Sequence, residues 1–188
     1  MSAIPITVWK VNGPQSPRME RIDEAATQTA LIGVPSQLSG GYVQECATID
    51  DAPPADMILG FSTEFFHNLA DAGVGVPLTY GAVQNQADAV LIPVGAPIAD
   101  GKMGVLIAES WVEFVGGAEP GTSFDQTDIG SIAGLTKSSN GFWAVDPSKA
   151  AEGDGACIKI TTLVDPAGTD GGRVAFQVLS DRQQINEV

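Results

Sequence analysis

The apolar residues of this chain come in short runs, and that restricts its fold more than any other feature. From Ala30 onward the runs are Ala30 to Val34, Tyr42 to Ile49, Met57 to Glu64, Ala89 to Val94, Lys102 to Val115, Ile129 to Leu135 and Gly141 to Val145, with a closing pair at Ala156 to Val164 and Arg173 to Leu179. Between them lie PSQLSGG, DDAPPAD, ADAGVGVP and VGGAEPGTS, strings of residues that favour turns. Twenty-two glycines and twelve prolines interrupt long helices. No segment sustains an i, i+3, i+4, i+7 stripe over the dozen or so residues a helix needs. The expected class is all-β, a barrel or sandwich of short antiparallel strands with a few short helical turns.

The closing pair carries the clearest signal. Its two runs are rich in Ile, Val, Thr and Phe and are separated by DPAGTDGG, which predicts a hairpin. Val174, Phe176 and Val178 fall on one side of the second run, with Arg173, Ala175 and Gln177 opposite. In the first run Ile158, Ile160, Thr162 and Val164 share a side. An isolated hairpin is marginal in water, so the rest of the chain must cover it.

The longest run, KMGVLIAESWVEFV, is read as one strand with Leu106, Ala108, Val112 and Phe114 on its dry face and Glu109, Trp111 and Glu113 opposite. Trp111 is then either covered by loops or an anchor at an interface. Ile129, Ile132 and Leu135 are spaced by three, which suits a short helical turn better than a strand. Asp146-Pro147-Ser148 has the chemistry of a helix start.

Residues 1–28 are expected to form an extended arm, followed by a β domain over 29–188 with a possible sub-lobe from about residue 116. Ile4, Ile6 and Val8 alternate with Pro5, Thr7 and Trp9 before Asn12-Gly13-Pro14 breaks the segment. From Met19 to Ala30 an extended reading is preferred to a weak helical one.

Nine basic and twenty-three acidic residues give a formal charge of −14, which disfavours nucleic acid and anionic membranes as partners. Cys46 and Cys157 lie far apart and in no metal-ligand spacing, and Cys157 reads as a buried thiol in a strand. The first residues lack a secretory h-region, so synthesis in the cytoplasm is expected.

Chemistry is sparse. The one histidine, His67, has no G-x-S-x-G elbow or cysteine partner near it. Carboxylates cluster at Asp50-Asp51-Asp56, Asp125-Asp128 and Asp165-Asp170, but none matches a calcium loop, and Asp165-Pro166 and Asp170-Gly171-Gly172 suit turn formation. The glycine strings form no phosphate cradle. No catalytic, cofactor-binding or metal-binding residue is expected, and the chain reads as a packing or assembly module in preference to an enzyme. A carbohydrate- or receptor-binding β-sandwich, with Trp111 or Trp143 as an exposed platform, and a hydrolase with an acid pair set by the fold are the rival readings.

The stretch around Tyr42 to Gly60, GGYVQECATIDDAPPADMILGFSTE, followed by AVLIPVG, resembles the small β-domain proteins that decorate or cement the heads of tailed bacteriophages. IGSIAGLTKSSNGFWAVDPSKA and the ending DPAGTDGGRVAFQVL are similar to the C-terminal part of such proteins. The resemblance covers residues 40–179 in motif order and has no catalytic signature. It implies a non-enzymatic domain on the capsid exterior that binds the major capsid protein, commonly as a dimer or trimer, and stabilises the shell. Ile4, Ile6, Val8 and Trp9 then read either as side chains that add a strand to a neighbour's sheet or as the first strand of the protein's own sheet.

Overall fold

The computed structural model describes residues 5–12, 16–23, 25, 31–46, 58–64, 102–138, 141–150 and 155–184. These form two antiparallel sheets, so the chain is all-β. Helical structure among the described residues is 3-10 in kind, with single turns at Gln126–Asp128 and Ser180–Arg182.

The larger sheet holds β1 (Thr7–Val11), β7 (Val112–Gly117), β8 (Ile132–Lys137), β9 (Trp143–Asp146), β10 (Ala156–Leu163) and β11 (Arg173–Val178), in the spatial order β1-β7-β11-β10-β8-β9. The smaller holds β2 (Met19–Asp23), β3 (Pro35–Ser39), β4 (Tyr42–Glu45), β5 (Gly60–Ser62) and β6 (Lys102–Ile107), in the order β2-β6-β5-β3-β4. Residues 1–28 therefore do not stand apart from the sheets where they are described: β1 pairs with β7 and β2 with β6. For residues 7–11 the reading as a strand of the protein's own sheet is the one observed.

Each sheet curls back on itself, the smaller until its end strands touch and the larger until β9 touches the continuation of β7, the strand next to its other end. In the larger, Ala118 beyond β7 bridges Val145 on β9. In the smaller, the Ala25 amide beyond β2 donates to Val43 O on β4 at 3.0 Å. Neither contact extends into a ladder, so no closed barrel forms among the described residues. The sheets share one core, which draws residues from Ile6 to Val178. Within it Phe61 of β5 packs tilted against Phe114 of β7 with ring centroids 4.5 Å apart, and Phe176 of β11 lies 6.0 Å from Phe61. Three rings from two sheets thus exclude water from the junction.

The hairpin forms as its sequence predicts. Val174, Phe176 and Val178 are buried, and β10 pairs with β11 from Ile158↔Val178 to Leu163↔Val174. A register shift between Ile160 and Thr162 inserts one extra residue, so Thr162 turns outward and Leu163 takes the core side.

Four expectations need correction. Lys102 to Val115 is two strands in different sheets. Glu109 O accepts from Val112 N at 3.0 Å, closing a turn that redirects the chain. Buried positions switch parity there, from Met103, Val105 and Ile107 to Val112 and Phe114, and the apolar Leu106 and Ala108 hide the switch from an alternation count. PSQLSGG is not a loop, because it forms β3 with Pro35 at the first strand position, where its missing N–H is tolerated. Gly40 and Gly41, at φ 59° and 88°, then make the tight turn into β4. Ile129 to Leu135 is no helical turn: Ile132–Lys137 is a strand, and both Ile129 and Ile132 are exposed, so their spacing marks no buried stripe. Ala30 to Val34, as far as it is described, forms a turn whose Leu31 and Val34 are buried without a ladder.

Candidate functional site

Ile4 lies outside the described residues. Ile6 is 2% exposed and packs in the core beside Gly116, where an added Cβ would sit 3.2 Å from it, so Ile6 serves the protein's own packing. Val8 is half-buried against the same core. Between Val8 and Lys10 the pairing with β7 shifts by one residue, and the extra residue is Trp9. A bulge frees the side chain it carries, and Trp9 is 48% exposed on the outermost strand.

Trp111 occupies the corner between β6 and β7, packed on the core. Its carbonyl accepts from Asn12 N at 2.8 Å, and Ser110 O accepts from Gln177 Nε2 at 3.1 Å, so β1 and β11 hold the corner in place. Neither its Nε1 nor the neighbouring Glu109 Oε2 has a hydrogen-bond partner among the described residues, although both atoms are buried.

Trp143 is 2% exposed, so it is no platform for a sugar ring. Its Nε1 donates to Glu45 Oε1 at 2.8 Å, while Lys137 Nζ donates to Glu45 Oε2 at 2.7 Å. One carboxylate on β4 thereby ties the smaller sheet to β8 and β9 of the larger.

The carboxylate clusters that can be placed are turn devices. Asp125 Oδ1 accepts from Thr127 N at 2.7 Å and Oγ1 at 2.6 Å, and Asp128 Oδ2 accepts from Asp125 N, a reciprocal cap. The bonds from Thr127 hold the Asp125 carboxyl below its ordinary pKa. Asp165 receives two bonds from the Arg173 guanidinium, at 3.0 and 2.7 Å, which lower its pKa and raise that of Arg173. Asp170 caps Gly121 N. Asp50, Asp51, Asp56 and His67 lie outside the described residues. No group of three potential metal ligands converges among the described residues. Both cysteines are buried and neither forms a disulfide, and burial pushes the Cys157 thiol up to about 12, far from a reactive thiolate.

Concavities also lie among the described residues. An open polar cleft of about 450 Å³ is lined by Glu119, Thr122, Lys137 and Asp146, among others, and a dimple of about 150 Å³ lies between Ile132, Ala156, Leu179 and Arg182.

More telling are the exposed large apolar side chains. Trp9 lies on β1, Met19 on β2 and Tyr42 on β4, three of the four outermost strands among the described residues, and Ile129 and Ile132 flank the start of β8. Sequence reasoning found Trp9 but not the others. For Met19 a signal existed: in MERID it shares a side with Arg21 and Asp23, and that side faces solvent. No known protein family, no curated protein and no solved structure matches this chain.

Proposed function

We propose that the chain is a capsid decoration protein, made in the host cytoplasm, which binds the outer surface of an icosahedral phage head and cements the shell of major capsid protein. The observation that carries this reading is the placement of Trp9, Met19 and Tyr42, each more than two-fifths exposed, on strands that end the two sheets. With no further strand beside them among the described residues, such edges set backbone groups beside an apolar side chain, the combination that lets a neighbour add main-chain bonds and bury an anchor. The motif order of residues 40–179 supports the same role. A charge of −14 opposes unspecific contact between copies and turns them from nucleic acid and anionic membranes, so association falls to shape-matched protein surfaces: the shell and neighbouring copies in a dimer or trimer.

The test is co-sedimentation with expanded shells of the virus that encodes the chain. The wild type should saturate a fixed number of sites per shell. A Trp9→Ser, Met19→Ser, Tyr42→Ser variant should bind at least about tenfold more weakly, because each anchor lost removes buried aromatic or thioether contact. A wild type that stays in the supernatant would overturn the reading.

A further inference from the structure

The residues after β11 cross from the larger sheet to the smaller. Leu179 N donates to Cys157 O at 2.9 Å, and the single turn Ser180–Arg182 follows. Ile58 N then donates to Arg182 O at 2.7 Å and Gln184 N to Ile58 O at 3.1 Å, so Ile58 and Gln183 pair as in a parallel ladder. Gln183 Nε2 reaches back to Val178 O at 2.9 Å. The Gln184 side chain does something less usual. Its Oε1 accepts from Leu38 N at 2.6 Å while its Nε2 donates to Leu38 O at 2.8 Å. This is the double exchange a neighbouring strand makes. β5 pairs with β3 only at Pro35 and Ser36, and a side-chain amide fills the strand-like place that β5 leaves open beside Leu38.

Ser180 to Gln184 reads SDRQQ and has no apolar side chain, yet Arg182 and Gln183 are buried. Hydrogen bonds to the backbone of Leu38, Ile58 and Val178 therefore carry much of its attachment, and the net gain of each is small because water replaces it on release. The strands it rests on are held by the apolar core. A polar segment on an apolar body separates before the body unfolds.

We infer that Ser180 to Gln184 is a detachable latch over a strand-binding slot at Leu38 and Ile58, and that the slot also takes the same segment from a second copy of this chain. Exchange remakes each of these hydrogen bonds between copies, which is why swapped elements are a low-cost route to dimers. Asp181 and Arg182 leave the segment neutral in a chain of charge −14, so it is a part of a second copy that can approach with little repulsion. This inference stands apart from the capsid role, since its test uses the free protein.

A labelled peptide of residues 179–184, LSDRQQ, is titrated into wild-type protein and into Gln184→Ala, with anisotropy as the readout. The closed latch reduces apparent affinity by the fraction of open molecules. The variant should bind the peptide at least about tenfold more tightly than the wild type, and a peptide carrying Gln184→Ala should bind at least about tenfold more weakly than LSDRQQ. Equal binding by both proteins, or of both peptides, would overturn the inference. Should Gln184→Ala lose its near-ultraviolet circular dichroism, hydrogen exchange on the wild type decides. The Leu38 and Ile58 amides should exchange at least about tenfold faster than those of Phe114 and Phe176. Equal protection contradicts the latch, and light scattering that shows only monomer at every concentration contradicts the exchange between copies.

Discussion

The β10–β11 hairpin and the β6–β7 corner are both pairs of consecutive apolar strands, yet one pair stays in a single sheet and the other crosses between two. The residues between the strands decide which. In the hairpin, Asp165 to Gly172 supply turn formers, with Gly168 and Gly171 at φ 78° and 63°, and Arg173 is clamped back on Asp165. The chain reverses and its strands pair with each other. At the corner, Ala108 to Trp111 contain neither Gly nor Pro, and β6 and β7 find partners distant in sequence: β2 and β5 for one, β1 and β11 for the other. A local signal builds the first pair, and shared burial builds the second.

That contrast breaks most visibly at Phe61, the ring by which the smaller sheet meets β7 and β11. Phe61→Ala should cost about 3–5 kcal/mol through lost burial and a residual cavity, read by urea denaturation. The loss should appear as one shifted transition; two separated transitions would show that the sheets fold independently. Next in size is Trp143→Phe, which keeps an aromatic ring but removes the bond that Trp143 Nε1 donates to Glu45 Oε1. About 1–2 kcal/mol should be lost in the same assay, and no change would mean the carboxylate does not tie the sheets.

The hairpin itself is probed more gently. Gly168→Ala meets no atom within 4 Å, so its cost is conformational alone, about 1 kcal/mol for a left-handed φ. The smallest expected effect is acid-linked. Asp165 and Asp125 both have lowered pKa values in the fold, the first from the Arg173 bonds and the second from those of Thr127. The folded state thus prefers the charged carboxylates. Their contribution is complete above the ordinary value of 3.8 and is lost as pH falls below it. Asp165 faces solvent in part, so its share should be no more than about 0.5 kcal/mol. In a denaturation series from pH 7 to 3, Asp165→Asn should flatten the acid limb slightly and leave the region above pH 5 parallel to wild type. A variant whose stability falls as steeply as wild type would remove Asp165 from the acid response.

What could be read in the sequence follows the same division. Val174, Phe176 and Val178 announced their face because a hairpin strand alternates beside its own partner. β3 was not legible, since Pro35, Ser36, Gln37 and Ser39 carry loop chemistry and become a strand only between β4 and β5; Ser36 and Gln37 are buried there. The corner was hidden because Leu106 and Ala108 are as apolar as the core residues around them. At the candidate interface, Ile6 and Trp9 looked alike as members of one extended segment. Alternation puts them on opposite sides, but that the inner side meets this protein's own core depends on the pairing of β1 with β7, which the sequence does not show.

The central claim, that the useful property of this chain is its contact surface, is tested most directly by the temperature at which expanded shells open. Shells saturated with the wild type should open at a higher temperature than bare shells, and shells mixed with the Trp9→Ser, Met19→Ser, Tyr42→Ser variant should open with the bare ones. Bare and wild-type-treated shells that open at the same temperature would contradict it.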